Sequence, residues 1–321
     1  MMSRLANRVE VFYTDSYSDA CRLRDAGYEP IECAFGGYGS VLGPLAMDHH
    51  GTESHRSGVA IRACGEFFGQ RKEDPRFVVT GTPDADAVLA IVALAGLVDR
   101  SCISDTFYTL VDRYDRDPIG MDLTREPLGT ALLAFNQTQL PRGQEGFLLG
   151  IDKMVELLTV GLPAEKVRNV LGMEKSRQQQ AKKALVLLIY PDGTQILGEM
   201  ADSPVQPGET PPKRVALVKG SVWGFDLWYR WAPVVVSWSS RLRKITVGCP
   251  NLQVATECFG QGGLMAIYPR LGIGWGGRET VGGSPRGVSV TLHDAQQTAL
   301  ELAQLLGQPT GLSDGEPRRT L

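Results

Sequence analysis

The sequence contains no CxxC pair. Its six cysteines, Cys21, Cys33, Cys64, Cys102, Cys249 and Cys258, are scattered. That argues against a thiolate zinc site and for reduced, half-buried thiols. No run of about 18 apolar residues occurs, so no membrane span is expected. The opening MMSRLANRVEVFYTDSY has no long apolar stretch before its first acidic residues. It does not read as a secretion signal, and a cytoplasmic location is expected. There is no G-x-S-x-G, and Cys64 lies inside a predicted helix without an evident histidine partner, which discounts nucleophilic hydrolases. Neither internal repeats nor low-complexity blocks occur. The net charge is only -3 and the pI about 5.9, so there is no global pull toward nucleic acid or membrane.

What is present fits a folded protein of one large or two ordinary domains. Apolar residues make up 43% of the 321 residues and charged ones 21%, which excludes disorder of the whole chain. Thirty-seven glycines, clustered in the last third, point to tight turns or close backbone approach there. RVEVFYT (8–14) predicts an opening strand, residues 17–27 a helix and EPIECAF (29–35) a second strand. GGYGSVLGP follows as a loop. Leu45–Met47 is a third strand, with DHH at its carboxyl end. SGVAIRACGEFFGQ has helical spacing, RFVVT (76–80) is a strand, and Asp84–Val98 is an apolar helix. This alternation predicts an α/β fold with a mostly parallel sheet over residues 1–160. A polar linker helix is expected over 161–183 and a smaller α/β domain over 184–310. The latter contains an ALVLLIY/TQILGEM hairpin, a WGFDLWYRWA helix and a VSVTL strand before a final helix. A flexible tail is expected over 311–321.

Candidate chemistry collects where strands end. Ligands of parallel sheets bind beyond the carboxyl ends of the strands. Asp15, Asp48–His50 and Asp84–Asp86 all fall there. Asp and His together offer oxygen and imidazole ligands suited to Mn²⁺, Zn²⁺ or Fe²⁺. A histidine pair at a strand end is also an ordinary hydrogen-bonded feature. His55 and Arg56 stand at the expected start of the next helix, where the backbone dipole favours an anion. In GTPDADA, one aspartate is explained as a helix cap. Two carboxylates flanking an alanine repel each other unless a cation lies between them. They also precede the apolar run VLAIVALAGLV, beside which an unpaired charge is costly.

DHH at a strand end, followed by the strand–PDADA–helix element, resembles the DHH phosphoesterases. WGGRETVGGSPRG, after KITVGCPNLQVATECFGQGG, is similar to the glycine-rich signature of the DHHA1 domain. The resemblance covers nearly the whole chain. It implies a DHH-like metal-binding catalytic domain followed by a DHHA1-like substrate-binding domain. The expected metal ligands are Asp48, His49, Asp84, Asp86 and Asp15, holding one or two divalent cations. Mn²⁺ is favoured, with Mg²⁺, Zn²⁺ and Fe²⁺ admitted. His50, His55 and Arg56 are the expected catalytic contacts. Arg278, Gly282, Gly283, Ser284 and Arg286 are expected to bind a distal phosphate, through close backbone approach and guanidinium clamps. Typical members carry D-x-D before DHH, whereas here DHH comes first. Either the order is rearranged, or GTPDADA plays the family's later Gly-Thr-x-Ala-Asp role. In the second case residues 13–19 replace the first motif and lack its usual histidine.

The expected activity is metal-dependent hydrolysis of small nucleotides or short single-stranded oligonucleotides by metal-hydroxide attack. Two alternatives stand beside it. One is a nucleotide-binding or sensing protein of the same fold with an impaired metal site. The other is a metal hydrolase acting on a non-phosphate substrate. A homodimer is left open. His293 is expected as a cap or surface residue. Trp223, Trp228, Trp231 and Trp238 could stack on bases, though their spacing fits packing.

Overall fold

The computed structural model describes residues 8–35, 38–50, 53, 55–116, 121–198, 213–220, 222–285 and 288–308. The chain divides into two compact units. The first is Met1–Pro118 with Asp122–Met173, and the second is Ile119–Met121 with Glu174–Leu321.

In the first unit β1 (Glu10–Tyr13), α1 (Tyr17–Asp25), β2 (Glu29–Ile31), α2 (Val59–Cys64) and β3 (Arg76–Val79) build a parallel sheet in the order β1-β3-β2. Tyr13 and Ile31 both pair with Val79, so the three strands end level with one another. Met47 adds a single parallel bridge to Ile31, which brings DHH to the same edge. The expected strand over residues 45–47 is therefore one paired residue. α1 starts at Ser16, whose hydroxyl accepts the Asp19 N–H, an ordinary N-cap. α2 is shorter than its sequence pattern, because the chain turns out of the helix at Gly65.

α3 (Ala85–Leu94) is the core of this unit. All ten of its residues are buried, Asp86 included. It packs against α2, α4 (Asp105–Arg116), α5 (Gly129–Asn136) and α6 (Gln144–Val160). Burying so many Ala, Val, Leu and Ile side chains holds its N-terminal turn in place, at roughly 25 cal/mol per Å² of apolar surface removed from water. α7 (Ala164–Lys182) follows, and the division between the units falls within it.

The second unit is a seven-stranded mixed sheet. Its strands are β4 (Leu185–Ile189), β5 (Gln195–Leu197), β6 (Val215–Gly220), β7 (Val234–Ser239), β8 (Lys244–Gly248), β9 (Gly276–Gly277) and β10 (Val281–Gly283). The order is β5-β4-β6-β7-β8-β10-β9, and only β6 and β7 run parallel. The β4–β5 hairpin turns at Gly193, with φ +85. The short helix α8 (Phe225–Trp228) packs on one face with Ala181. α9 (Leu252–Phe259) and α11 (Leu292–Gly307) contribute to the core on the other face, with Tyr268 of the one-turn helix α10 (Tyr268–Leu271). Alternating side chains of β6 and β7 feed both cores: Val215 and Leu217 enter one, Ala216 and Val218 the other. The expected VSVTL strand does not form, and the WGFDLWYRWA stretch is helical only over Phe225–Trp228. Trp228 is core and its indole N–H donates to the Ala181 carbonyl. Among the described residues no helix is long and apolar enough to cross a membrane.

Candidate metal centre

The site forms where the level strand ends of the first unit release their chains. β2 stops at Ile31 because Glu32 turns out of the sheet with φ +52. The Glu32 N–H donates to the Met47 carbonyl at 2.8 Å. Ala46 also has positive φ, +50. Non-glycine residues rarely adopt this conformation, and each instance costs of order 1–3 kcal/mol. Arg62 of α2 holds the strained segment. Its guanidinium donates to the Ala46 carbonyl at 2.8 Å and to the Asp48 carbonyl at 2.9 Å.

Extended chain throws successive side chains to opposite sides, and Asp48, His49 and His50 divide accordingly. Asp48 turns to His50. Its Oδ1 accepts the His50 main-chain N–H at 2.7 Å and lies 3.0 Å from His50 Nδ1. Burial alone would raise the Asp48 carboxyl, but the His50 contacts hold it below the usual value. Burial would lower the His50 ring, but the Asp48 hydrogen bond and the nearby Glu32 charge raise it.

His49 turns inward and is buried. Its Nε2 lies 2.8 Å from Glu32 Oε1, 3.2 Å from Asp115 Oδ2 and 3.8 Å from Asp86 Oδ2. One ring nitrogen carries at most one hydrogen, so it cannot serve three carboxylates. Glu32 Oε1 is buried and accepts no hydrogen bond, although His49 Nε2 lies 2.8 Å away. Negative charge is in excess, and the carboxyl groups show it. Burial, then Asp86, raises Glu32 well above the ordinary value. Burial, then Asp115, pushes Asp86 up to about 7. Asp84 is exposed, and the nearby Glu32 and Asp115 charges raise its carboxyl.

Two overlapping trios have ligand atoms within 4.8 Å of one another: Glu32, His49 and His50, and His49, Asp86 and Asp115. An oxygen and imidazole donor set with an orphaned carboxylate oxygen fits a divalent ion such as Mn²⁺, Zn²⁺ or Fe²⁺. A cation there would reverse the upward carboxyl shifts.

Asp86 has a second task. Its two oxygens accept the N–H groups of Val59 and Ala60 at 2.8 and 3.0 Å. Buried Asp112 accepts that of Gly58 at 2.7 Å. The start of α2 is thus tied to the site. A Cβ at position 58 would stand 2.9 Å from both Asp112 Oδ1 and Asp86 Oδ1, so a side chain there would displace the two carboxylates.

The structure brings together some of the residues singled out from sequence. His49 and Asp86 converge, and His50 joins through Glu32. Asp48 orients His50 and belongs to neither trio. Asp84 caps α3, accepting the Ala87 N–H at 3.0 Å. Asp15 is not brought in: it lies 2.6 Å from Arg142 Nη2 and accepts the Tyr13 hydroxyl. His55 is exposed, and Arg56 pairs with Glu53.

In the second unit the glycine-rich expectations meet structural duties. The space at Gly282 is filled by Tyr268, whose hydroxyl would stand 2.1 Å from a Cβ there. That hydroxyl donates to the Arg278 carbonyl. Ser284 is buried, and its hydroxyl accepts the Ile245 N–H at 3.1 Å. Gly283 pairs with Thr246 inside the sheet. Arg286 lies outside the described residues.

Three members escaped sequence reasoning. Glu32 obeys the strand-end rule already applied to Asp15. Asp115 lies four residues beyond Val111 and eight beyond Phe107, both buried on α4, so it is a carboxylate on a core-facing stripe. Arg62 carries no motif. Against family models, curated proteins and solved structures, the chain has no match.

Proposed function

We propose that this chain is a divalent-metal-dependent phosphoesterase acting on small nucleotides or short single-stranded oligonucleotides. The observation that carries the reading is the convergence of Glu32, Asp86 and Asp115 oxygens on one buried nitrogen of His49. His49, Glu32, Asp86 and Asp115 are the residues that would hold the cation. A cation so held supplies a water of lowered pKa and polarises a phosphoryl oxygen. Asp48 fixes the His50 ring through Nδ1, which leaves Nε2 to donate to a substrate oxygen. The His50 side chain is 39% exposed, open enough to meet a ligand. The likeness of DHH and the late glycine-rich segment to the DHH phosphoesterases is what favours phosphate over another hydrolysable group.

Elemental analysis of the purified protein tests the first half, and Mn²⁺-dependent hydrolysis of bis(p-nitrophenyl) phosphate and of a dinucleotide tests the second. His49→Ala should lose both metal and activity. Protein that binds no divalent ion and cleaves neither compound with added Mn²⁺ would overturn the reading.

A further inference from the structure

A hairpin grows directly from the metal centre and carries an aromatic pair that the chemistry above leaves unused. Cys33 follows Glu32, and its carbonyl accepts the Val41 N–H at 2.9 Å. Ala34 bridges Ser40, and the Phe35 N–H donates to the Gly39 carbonyl. The outgoing end of this segment is therefore continuous with Glu32 of the site. Cys33 and Val41 are buried against Ala20 and Leu23 of α1 and Val78 of β3, with Phe35 packed alongside.

Those contacts already anchor the hairpin. Tyr38, just before Gly39, is 75% exposed. Its ring is stacked on Tyr17, with centroids 5.1 Å apart and planes 20° from parallel. Tyr17 meets Phe35 edge-on at 5.9 Å, which holds the lower ring in place. Tyr17 is the first residue of α1, just beyond the carboxyl end of β1. The pair thus lies at the same sheet edge as the carboxylates. A large aromatic ring held by a stacked partner and turned to water is a preorganised stacking surface, and stacking accepts any base.

We infer that Tyr38, backed by Tyr17, is a platform for the base of a nucleotide whose phosphate faces the metal centre. This deepens the proposed function and rests on it for the phosphate. The platform's ligand is a planar heteroaromatic base carried on a sugar phosphate.

The test compares AMP with ribose 5-phosphate, which keeps the phosphate and lacks the base. Both are titrated calorimetrically into the Mn²⁺-loaded full-length protein. AMP should bind more tightly. Tyr38→Ala should weaken AMP by about 5- to 150-fold, the range for loss of one stacked base. Ribose 5-phosphate should be unaffected. Tyr38→Phe and Tyr38→Trp should keep the AMP advantage, which separates stacking from loss of a hydroxyl or of fold. Equal binding of the two compounds, no binding of either, or an AMP advantage that survives Tyr38→Ala would each overturn the inference. Its failure is distinct from failure of the proposed function. Mn²⁺-dependent phosphodiester cleavage without base preference removes the platform alone. Base-dependent binding without cleavage removes the hydrolase alone.

Discussion

Raising the pH should destabilise this protein when divalent ions are chelated, and Mn²⁺ should abolish the effect. The magnitude follows from Asp86. Its carboxyl is pushed from 3.8 up to about 7 in the folded chain, by burial and then by Asp115. Below about pH 4 the group is protonated in both folded and unfolded chains and makes no difference. Between about pH 4 and 7 the unfolded chain ionises while the folded one retains its proton. Stability then falls by about 1.4 kcal/mol per pH unit. Above about pH 7 the loss levels off at about 4 kcal/mol, three decades at that slope. Asp86 is 1% exposed, so solvent screening reduces the figure little. The raised Glu32 carboxyl acts in the same direction, and the lowered Asp48 carboxyl opposes it. For a unit of this size the loss corresponds to a Tm about 8–16 °C lower at pH 8 than at pH 4. A cation at about 1,000 times its Kd contributes about 4 kcal/mol, enough to cancel the Asp86 part. Thermal melts followed by circular dichroism at pH 4, 6 and 8, in EDTA and in Mn²⁺, read this directly. Melts in EDTA that do not change with pH, or a pH dependence that Mn²⁺ leaves intact, would refute the reasoning.

Substitutions at four positions extend the test. Arg62→Ala removes two charged hydrogen bonds to the Ala46 and Asp48 carbonyls; a loss of about 3 kcal/mol is expected in urea titrations, with Arg62→Lys recovering only part because one ammonium lacks the guanidinium fork. Gly58→Ala forces Asp86 and Asp112 to shift and should weaken Mn²⁺ binding by about 10- to 100-fold in equilibrium dialysis. Glu32→Gln removes a buried negative charge, so it should stabilise the chelated protein at pH 8 while weakening Mn²⁺ binding at least about tenfold. Gly282→Ala drives a methyl into Tyr268 and should cost about 1–3 kcal/mol of stability with Mn²⁺ affinity unchanged, as dialysis would show.

The parallel sheet was legible because strand-forming runs such as RVEVFYT and RFVVT alternate with helical spacing, and the period of the pattern is local. The short partner over Leu45–Met47 was expected as well but read too long, since only Met47 pairs. The early end of α2 was not legible, since SGVAIRACGEFFGQ keeps its apolar spacing past the point at which the chain turns at Gly65. The glycines around β9 and β10 illustrate a different limit. Sequence shows that a Cβ is absent but not what fills the space. At Gly282 the occupant is Tyr268, fourteen residues earlier. A phosphate-binding loop and a ring-packing strand ask for the same residue.

The site was half legible for a similar reason. His49 and Asp86 were found by grouping acidic and imidazole residues at strand ends, a rule that depends only on chain direction. Glu32 satisfies the same rule but hides within the run EPIECAF, where strand propensity suggests that the chain continues. It does not continue, because Glu32 takes φ +52 and leaves the sheet. That single residue bears a strained backbone and a buried oxygen with no hydrogen bond. Either cost alone is an ordinary feature of a loop. Together, 2.8 Å from a histidine nitrogen that two other carboxylates also approach, they are difficult to account for as a means of holding the fold. A glutamine would spare the charge, and a glycine would spare the strain. On the proposed reading the acid at this position is there to coordinate a cation, and the Arg62 clamp on Ala46 and Asp48 holds the neighbouring loop beside it.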